Sequence, residues 1–346
     1  MSRPFLSIVI PTYNRKDLLK ECLESLFDQT YPKEDYEIVV VDDGSTDGTE
    51  DLLRDMAAGH GNLRYFRQEN GGAYHACNTG IQRSSGEIIV FTDSDCAAPR
   101  DFLELTASYF KKHPDISACI GFPLITFKNK LFSPLSDYYR RVFEAGERVE
   151  KVFSKLDPTV VLHTDCAAVK KDALINIGCF GAKFNRAWGG GDPDLGFKLL
   201  KKGYGILTSN KMFVYHRQRD TLLGLIKRDY AFGTWDTVNS GDFFKGWIGI
   251  YVNEGGFSFR TTLPITFFFH ITLIKITLFL LLLAVFFPLA GTTLLLLYLF
   301  LRYLRARKMG GGVKLFLILM LYRYITDSSR LAGWIVGSIR HRVIYL

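Results

Sequence analysis

Cysteine is scarce in this chain and never paired along it. The six cysteines, Cys22, Cys77, Cys96, Cys119, Cys166 and Cys179, stand singly, with no Cys-x-x-Cys and no histidine at zinc-finger distance. That spacing excludes a thiolate zinc site and a disulfide framework, so the thiols are expected to be reduced. No internal repeat and no low-complexity run appears outside the C-terminal apolar region. At the N-terminus the apolar run before Pro11 is about five residues, too short for the core of a secretory signal, and the first domain is expected in the cytosol. A composition that is 48% hydrophobic and 14% aromatic excludes disorder and collagen-like fibre.

A net charge of +8 would normally suggest a nucleic-acid partner. Its distribution argues otherwise. Residues 261–346 hold ten basic residues and one acid, Asp327, whereas residues 1–260 carry a net charge of −1. A near-neutral folded part with a basic, apolar tail fits attachment to an anionic membrane surface and no nucleic-acid partner.

Short β-branched runs alternate with helical periodicity over the first hundred residues. Residues 5–10 and 37–41 read as strands, 17–27 and the stretch after Gly48 as helices, 63–67 as a third strand, 72–82 as a helix and 87–92 as a fourth strand. Strands apolar on both faces that alternate with helices predict an α/β fold with a mostly parallel sheet between helices. The acidic turns Asp42-Asp43 and Asp93-Ser94-Asp95 fall at strand carboxyl ends, where such sheets bind ligands. Beyond Phe122 the period is lost; a strand, a loop and a helix are expected to Leu156, then a strand at 164–169 and a helix at 194–202.

Between Leu263 and Leu301 only Lys275 carries a full charge. A hydrocarbon core of about 30 Å needs about 20 helical residues, so this length predicts a transmembrane hairpin, 263–287 and 289–303, turning at Pro288–Gly291. The basic cluster Arg302, Arg305, Arg307, Lys308 then faces the cytosol. A single span over 276–301 is the competing layout. The expected domains are 1–235, an interfacial linker at 236–261, the hairpin at 262–304 and a basic amphipathic interface tail at 305–346.

The Asp93-Ser94-Asp95 triplet directs carboxylate oxygens from a rigid strand end. Hard cations such as Mg²⁺ or Mn²⁺ take such oxygens and complete their shell with phosphate and water. The plain alternative is an Asx turn capping the next helix. The second acidic turn on the same sheet edge favours a bound cation or hydrogen-bond donors, since crowded carboxylates need one or the other.

Six segments, SIVIPTYNR (7–15), EIVVVDDGSTDGT (37–49), ENGGAYHACNTGI (69–81), GEIIVFTDSDC (86–96), GCFGAKF (178–184) and GGGDPDLGFKLLKKGY (189–204), occur in the order found in family 2 glycosyltransferases. Over residues 5–235 the chain resembles that family, which implies the GT-A nucleotide-diphospho-sugar transferase fold. The resemblance implies that Pro11, Thr12, Tyr13, Asp42, Asp43, Gly72, Asn78, Asp93 and Ser94 line the nucleotide or donor. Tyr13 would lie against the base, Asp43 would accept from base or ribose, and Asp93 would contact the ribose. It also implies that Asp95, with His216, holds Mn²⁺ or Mg²⁺, although a lone His216 is as readily a packed surface imidazole. Asp192 would take the proton from the acceptor hydroxyl, with Trp188, Gly190 and Asp194 on the acceptor side; Asp194 reads equally as a helix-first-turn acid.

Two positions depart from the family pattern: Gly191 stands where relatives usually have Glu, and Cys77 where many have Arg. The Gln-x-x-Arg-Trp signature of processive synthases does not occur. The resulting expectation is an inverting, metal-dependent enzyme, integral to the membrane with its catalytic domain cytosolic. It would move one sugar from a nucleotide-diphospho-sugar, a UDP-sugar first, to a hydroxyl of a lipid-linked saccharide or glycolipid. Alternatives are a polyprenyl-phosphate acceptor and a catalytically weak nucleotide-sugar-binding membrane partner.

Overall fold

The computed structural model describes residues 3–185, 187, 189–218, 221–245, 247–252, 255–260, 267–341 and 343–345. They form two compact units, Met1–Leu124 with Glu147–Arg217, and Ile125–Gly146 with Gln218–Leu346. The expected first domain, 1–235, thus spans the first unit together with residues 125–146 and 218–235, which fall in the second.

The first unit is built on a nine-stranded sheet. Strands β1 (Leu6–Thr12), β2 (Tyr36–Asp42), β3 (Leu63–Arg67), β4 (Ile88–Phe91), β5 (Cys96–Ala97), β6 (Ile116–Thr126), β7 (Glu150–Phe153), β8 (Ala167–Lys170) and β9 (Gly205–Arg217) run in the order β3-β2-β1-β4-β8-β6-β9-β5, with β7 beside β9. Pairing of β3, β2, β1 and β4 is parallel, and β8 enters antiparallel between β4 and β6. Every residue of β2 is buried, as is every residue of β1 except Pro11, which is partly exposed. Their apolar runs without alternation demanded burial on both faces.

Helices α1 (Lys16–Phe27), α2 (Thr49–Gly59), α3 (Ala73–Arg83) and α4 (Phe102–Lys112) connect the strands. Leu19, Cys22, Leu23 and Leu26 of α1 join Leu6, Ile8, Ile10, Ile38 and Val40 in one core. The parallel register sets Thr12 opposite Asp42, and the Asp43 amide donates to the Thr12 carbonyl at 2.9 Å. The strand-end residues thus share one edge.

Beyond the parallel part, α5 (Ser133–Ala145) follows β6, and α6 (Lys171–Asn176) follows β8. Strand β8 begins three residues later than the sequence predicts, leaving Thr164 and Asp165 in the preceding loop. Helix α7 (Gly191–Lys201) leads into β9, whose far end pairs antiparallel with β5 and sets His216 opposite Cys96.

In the second unit, α8 (Leu222–Phe243) packs along α11 (Val313–His341). A Cβ on Gly233 would collide with the Arg330 carbonyl, and one on Gly333 with the Tyr230 carbonyl. Only glycine admits this backbone approach. Within the expected interfacial linker, 236–261, the described residues form the end of α8 and an antiparallel pair, β10 (Trp247–Val252) and β11 (Gly255–Arg260).

Of the first expected span, 263–287, residues 263–266 lie outside the described residues; residues 267–271 form β12 (Phe267–Ile271), parallel to β10 and β13 (Ile344–Tyr345), and Leu273–Phe286 is helical, as α9. The aromatic, β-branched stretch FFFHI favours an extended strand over a helix. Helix α10 (Pro288–Lys308) starts at Pro288, which suits a first helical position. Its 20 residues Leu289–Lys308 contain an 18-residue stretch with a mean hydropathy of 1.3, a length sufficient to cross a bilayer.

Candidate active site

The carboxyl ends of β1, β2 and β4 supply the first group of side chains. Asp42 Oδ1 accepts from the Ser45 amide at 2.9 Å. Its Oδ2 and the Thr12 hydroxyl are buried and have no hydrogen-bond partner among the described residues. Asp43 is already engaged: Gly71 and Gly72 amides donate to its two oxygens at 2.9 and 2.8 Å, and Gln68 Nε2 donates at 2.7 Å. These bonds fix the glycine turn that starts α3, at Gly72. Tyr13 is 49% exposed at the same edge and Ser94 is buried. Asn78 clasps the Phe180 backbone instead, its Nδ2 donating to the carbonyl at 2.9 Å and its Oδ1 accepting from the amide at 3.1 Å.

The Asp93-Ser94-Asp95 turn is crowded with negative charge. Burial, then the charges of Asp95 and Asp165, push the Asp93 carboxyl up to about 7. Asp95 responds oppositely. Burial would raise it, but His216 and then Arg15 hold it below the usual carboxylate range. Arg15 Nη1 lies 2.5 Å from Asp95 Oδ2, and His216 Nε2 lies 3.5 Å from Asp95 Oδ1. On its other side His216 Nδ1 meets Asp165 Oδ2 at 3.0 Å. Burial would lower the imidazole, yet the pairing with Asp165 and Asp95 raises it well above its ordinary value. The β5–β9 pairing is what delivers His216 here.

This arrangement fits a divalent cation. Asp95 Oδ1 and Asp165 Oδ1 are buried and accept no hydrogen bond from the described residues. Ligand atoms of Asp95, Cys96 and His216 lie within 4.8 Å of one another. Burial drives the Cys96 thiol well up, so it stays protonated and is the poorest of the three. Carboxylate with imidazole is a donor set suited to Mn²⁺ or Mg²⁺.

Asp192 sits in the first turn of α7. Thr164 Oγ1 donates to its Oδ1 at 3.1 Å. Burial pushes its carboxyl up to about 6; His163 opposes the rise and Asp165 adds to it. Gly190, at φ +87°, caps the helix. Asp194 is 1% exposed, with Lys198 Nζ 2.8 Å from Oδ2 and Lys183 Nζ 3.4 Å from Oδ1. It is the first-turn acid in a buried ion-pair cluster. Trp188 lies outside the described residues.

Cys77 is 2% exposed on α3 and feels both Asp93 and Asp192, its thiol driven well up by burial first. A thiol where many relatives carry Arg leaves these carboxylates without a cation from α3. Asp165, Arg15 and Tyr74, all in contact with the acidic cluster, were missed in the sequence. Arg15 closes the first motif and gave a signal; a lone Asp before β8 and a Tyr inside a helix did not.

Residues 7–178 match the model of glycosyl transferase family 2. The glycosyltransferase AglE of Haloferax volcanii is 44% identical over 102 residues, 29% of this chain and 34% of that one. The chain thus spans about a third of that relative's length. A Methanococcus voltae enzyme, dolichyl N-acetyl-α-D-glucosaminyl phosphate 3-β-D-2,3-diacetamido-2,3-dideoxy-β-D-glucuronosyltransferase, is 25% identical over 284 residues, 79% of this chain and 82% of that one. Among solved structures, a mannosyltransferase of Pyrobaculum calidifontis in complex with GDP-Man and Mn²⁺ superposes with a TM-score of 0.53 at 24% identity, covering 69% of this chain and 65% of that one. GalNAc-T7 with UDP, GalNAc and Mn²⁺ gives 0.52 at 17% identity, over 71% and 50%. These likenesses establish the GT-A fold.

Proposed function

The chain belongs to glycosyl transferase family 2, and from that membership we propose that it is an inverting glycosyltransferase acting at the cytosolic face of a membrane. It moves one sugar from a nucleotide-diphospho-sugar, a UDP-sugar first, to a hydroxyl of a lipid-linked saccharide. The observation that carries this reading is the convergence of Asp93, Asp95, His216 and Asp192 in one unit of the chain, with His216 Nε2 3.5 Å from Asp95 Oδ1 and Asp93 within the charge of all three.

Asp95 and His216, with Asp165 behind the imidazole, would hold Mn²⁺ or Mg²⁺. Such a cation neutralises charge on a departing diphosphate. The buried free oxygen of Asp42 and the Thr12 hydroxyl are the groups open to a nucleoside, with Tyr13 offering its ring to the base. Asp43 keeps lone pairs for a ribose or base donor while its present bonds hold the Gly71-Gly72 turn. Asp192, raised to about 6, is ionised near neutral pH and basic enough to take a hydroxyl proton.

A hydroxyl acceptor needs such a base, whereas a phosphate is already a nucleophile. The Methanococcus voltae relative, whose name gives a dolichyl-phosphate-linked sugar, supports the lipid-linked class of acceptor. Helix α10 and the basic residues at its end support attachment to an anionic leaflet.

The test is nucleotide release and product analysis on extracted lipids, over a panel of nucleotide sugars with and without Mn²⁺. Metal-dependent transfer that is lost in Asp95→Ala is expected. If no donor is hydrolysed or transferred by the wild type, the reading reduces to a nucleotide-sugar-binding membrane partner.

A further inference from the structure

Gly191 leaves a space that another residue fills. A Cβ at position 191 would lie 2.8 Å from Cζ and 2.9 Å from Cε1 and Cε2 of Tyr74. The hydroxyl-bearing end of that ring therefore occupies the room in which a Glu at 191 would begin. The ring is itself fixed: it is 6% exposed, stacks on Phe180 at 5.2 Å and meets Phe184 edge-on at 6.1 Å. Phe180 is in turn clasped by Asn78, one helical turn along α3 from Tyr74. With its Cζ 2.8 Å from the Cβ position of Gly191, the ring brings the Tyr74 hydroxyl beside the first turn of α7, next to Asp192, and each of the two groups acts on the protonation of the other. A phenol donates to a carboxylate.

We propose that Tyr74 is the positioning residue of Asp192: its ring fills the space vacated at Gly191 and its hydroxyl orients the carboxylate toward the acceptor hydroxyl. Thr164 Oγ1 already donates to Oδ1 at 3.1 Å, so a second donor on the carboxylate fixes its rotation about the terminal torsion. A base misplaced by an ångström loses much of its rate. The glycine and the tyrosine are thus one adaptation, each requiring the other. This inference rests on Asp192 being the base.

The groups facing Asp192 are His163, Thr164 and Asp165 from the loop before β8, Tyr74 and Cys77 from α3, and Asp93 after β4. Of these, among the described residues, Thr164 donates a hydrogen bond to Oδ1 and Tyr74 acts in the same direction, both favouring the charged form. In the full-length protein, Tyr74→Phe keeps the ring and removes the donor. Its kcat is expected to fall about tenfold with the donor KM unchanged, and the acidic limb of the kcat profile to move upward. A tyrosine that only packs would leave that limb in place, so an unmoved limb with unchanged kcat overturns the proposal. Gly191→Ala, which drives a methyl into the ring, is expected to lose activity that Gly191→Ala with Tyr74→Ala partly regains; full activity in Gly191→Ala alone also overturns it. Asp192→Asn separates the two failures: normal transfer in that variant removes the base assignment itself, whereas loss there beside an unaffected Tyr74→Phe removes only the role of Tyr74.

Discussion

The Arg15 guanidinium lies 2.5 Å from Asp95 Oδ2, on the carboxylate whose other oxygen is buried and accepts no hydrogen bond from the described residues. A cation at Asp95 must compete with this arginine, which is partly exposed and able to swing away. Arg15→Gln is therefore expected to lower the Mn²⁺ concentration at half-maximal thermal stabilisation, by about three- to tenfold in the absence of nucleotide. A titration followed by thermal shift checks this; a higher midpoint would mean that Arg15 supports the cation site.

Removing the carboxylate itself should have the opposite consequence. Asp95→Ala leaves His216 and Asp165 paired but takes away the two oxygens that face Arg15 and His216. Transfer is expected to fall by about a thousandfold, with Mn²⁺-dependent stabilisation gone. Radiolabelled sugar transfer and calorimetric Mn²⁺ binding measure the two losses separately.

The raised carboxyl of Asp192 predicts a pH profile. A base acts when deprotonated, so kcat/KM should be flat well above pH 6 and fall as the pH drops through about 6. Asp192→Asn should lower kcat by about 10²- to 10⁴-fold and abolish this limb. Stopped assays between pH 5 and 8 with saturating Mn²⁺ would resolve it.

Glu37 offers a test of stability remote from the site. It is 6% exposed; Ser7 Oγ donates to it at 2.7 Å, the Ser85 amide at 2.5 Å and Arg64 Nη1 at 2.6 Å. Burial raises its carboxyl, but the Ser85, Ser7 and Arg64 interactions outweigh burial and depress it. A depressed carboxylate stabilises fully above its unfolded value, near 4.5, and this contribution is lost as pH falls through the lower folded value. Glu37→Gln is expected to cost about 1–3 kcal/mol at neutral pH and progressively less in acid, read from denaturant melts.

In the second unit the crossing of α8 and α11 depends on bare backbone at Gly233 and Gly333. Gly333→Leu has no room and should separate the helices, at about 3 kcal/mol or more. Protease sensitivity of α11 in detergent, compared with a Gly312→Ala control that meets open space, would reveal it.

How far the chain could be read from its residues follows from the range of the interactions involved. The parallel strands β1 to β4 and the helices between them were legible because uninterrupted β-branched runs and helical spacing are local patterns. The acidic turns were legible for the same reason: each follows its strand directly. The extended conformation of Phe267–Ile271 was not legible because aromatic, apolar residues suit a membrane helix and a strand equally well, and pairing with β10 is a non-local contact.

What the residues determined alone was the family, through six ordered motifs, and with it the sheet edge bearing Asp42, Asp43, Asp93 and Asp95. Tertiary structure decided which distant groups complete that edge. Antiparallel pairing of β5 with β9 carries His216 across 120 positions to Cys96, the loop before β8 adds Asp165, and close contact between Tyr74 and Gly191 links α3 to the start of α7. Each of these depends on non-local packing that fills a particular volume, and no spacing along the chain encodes a volume.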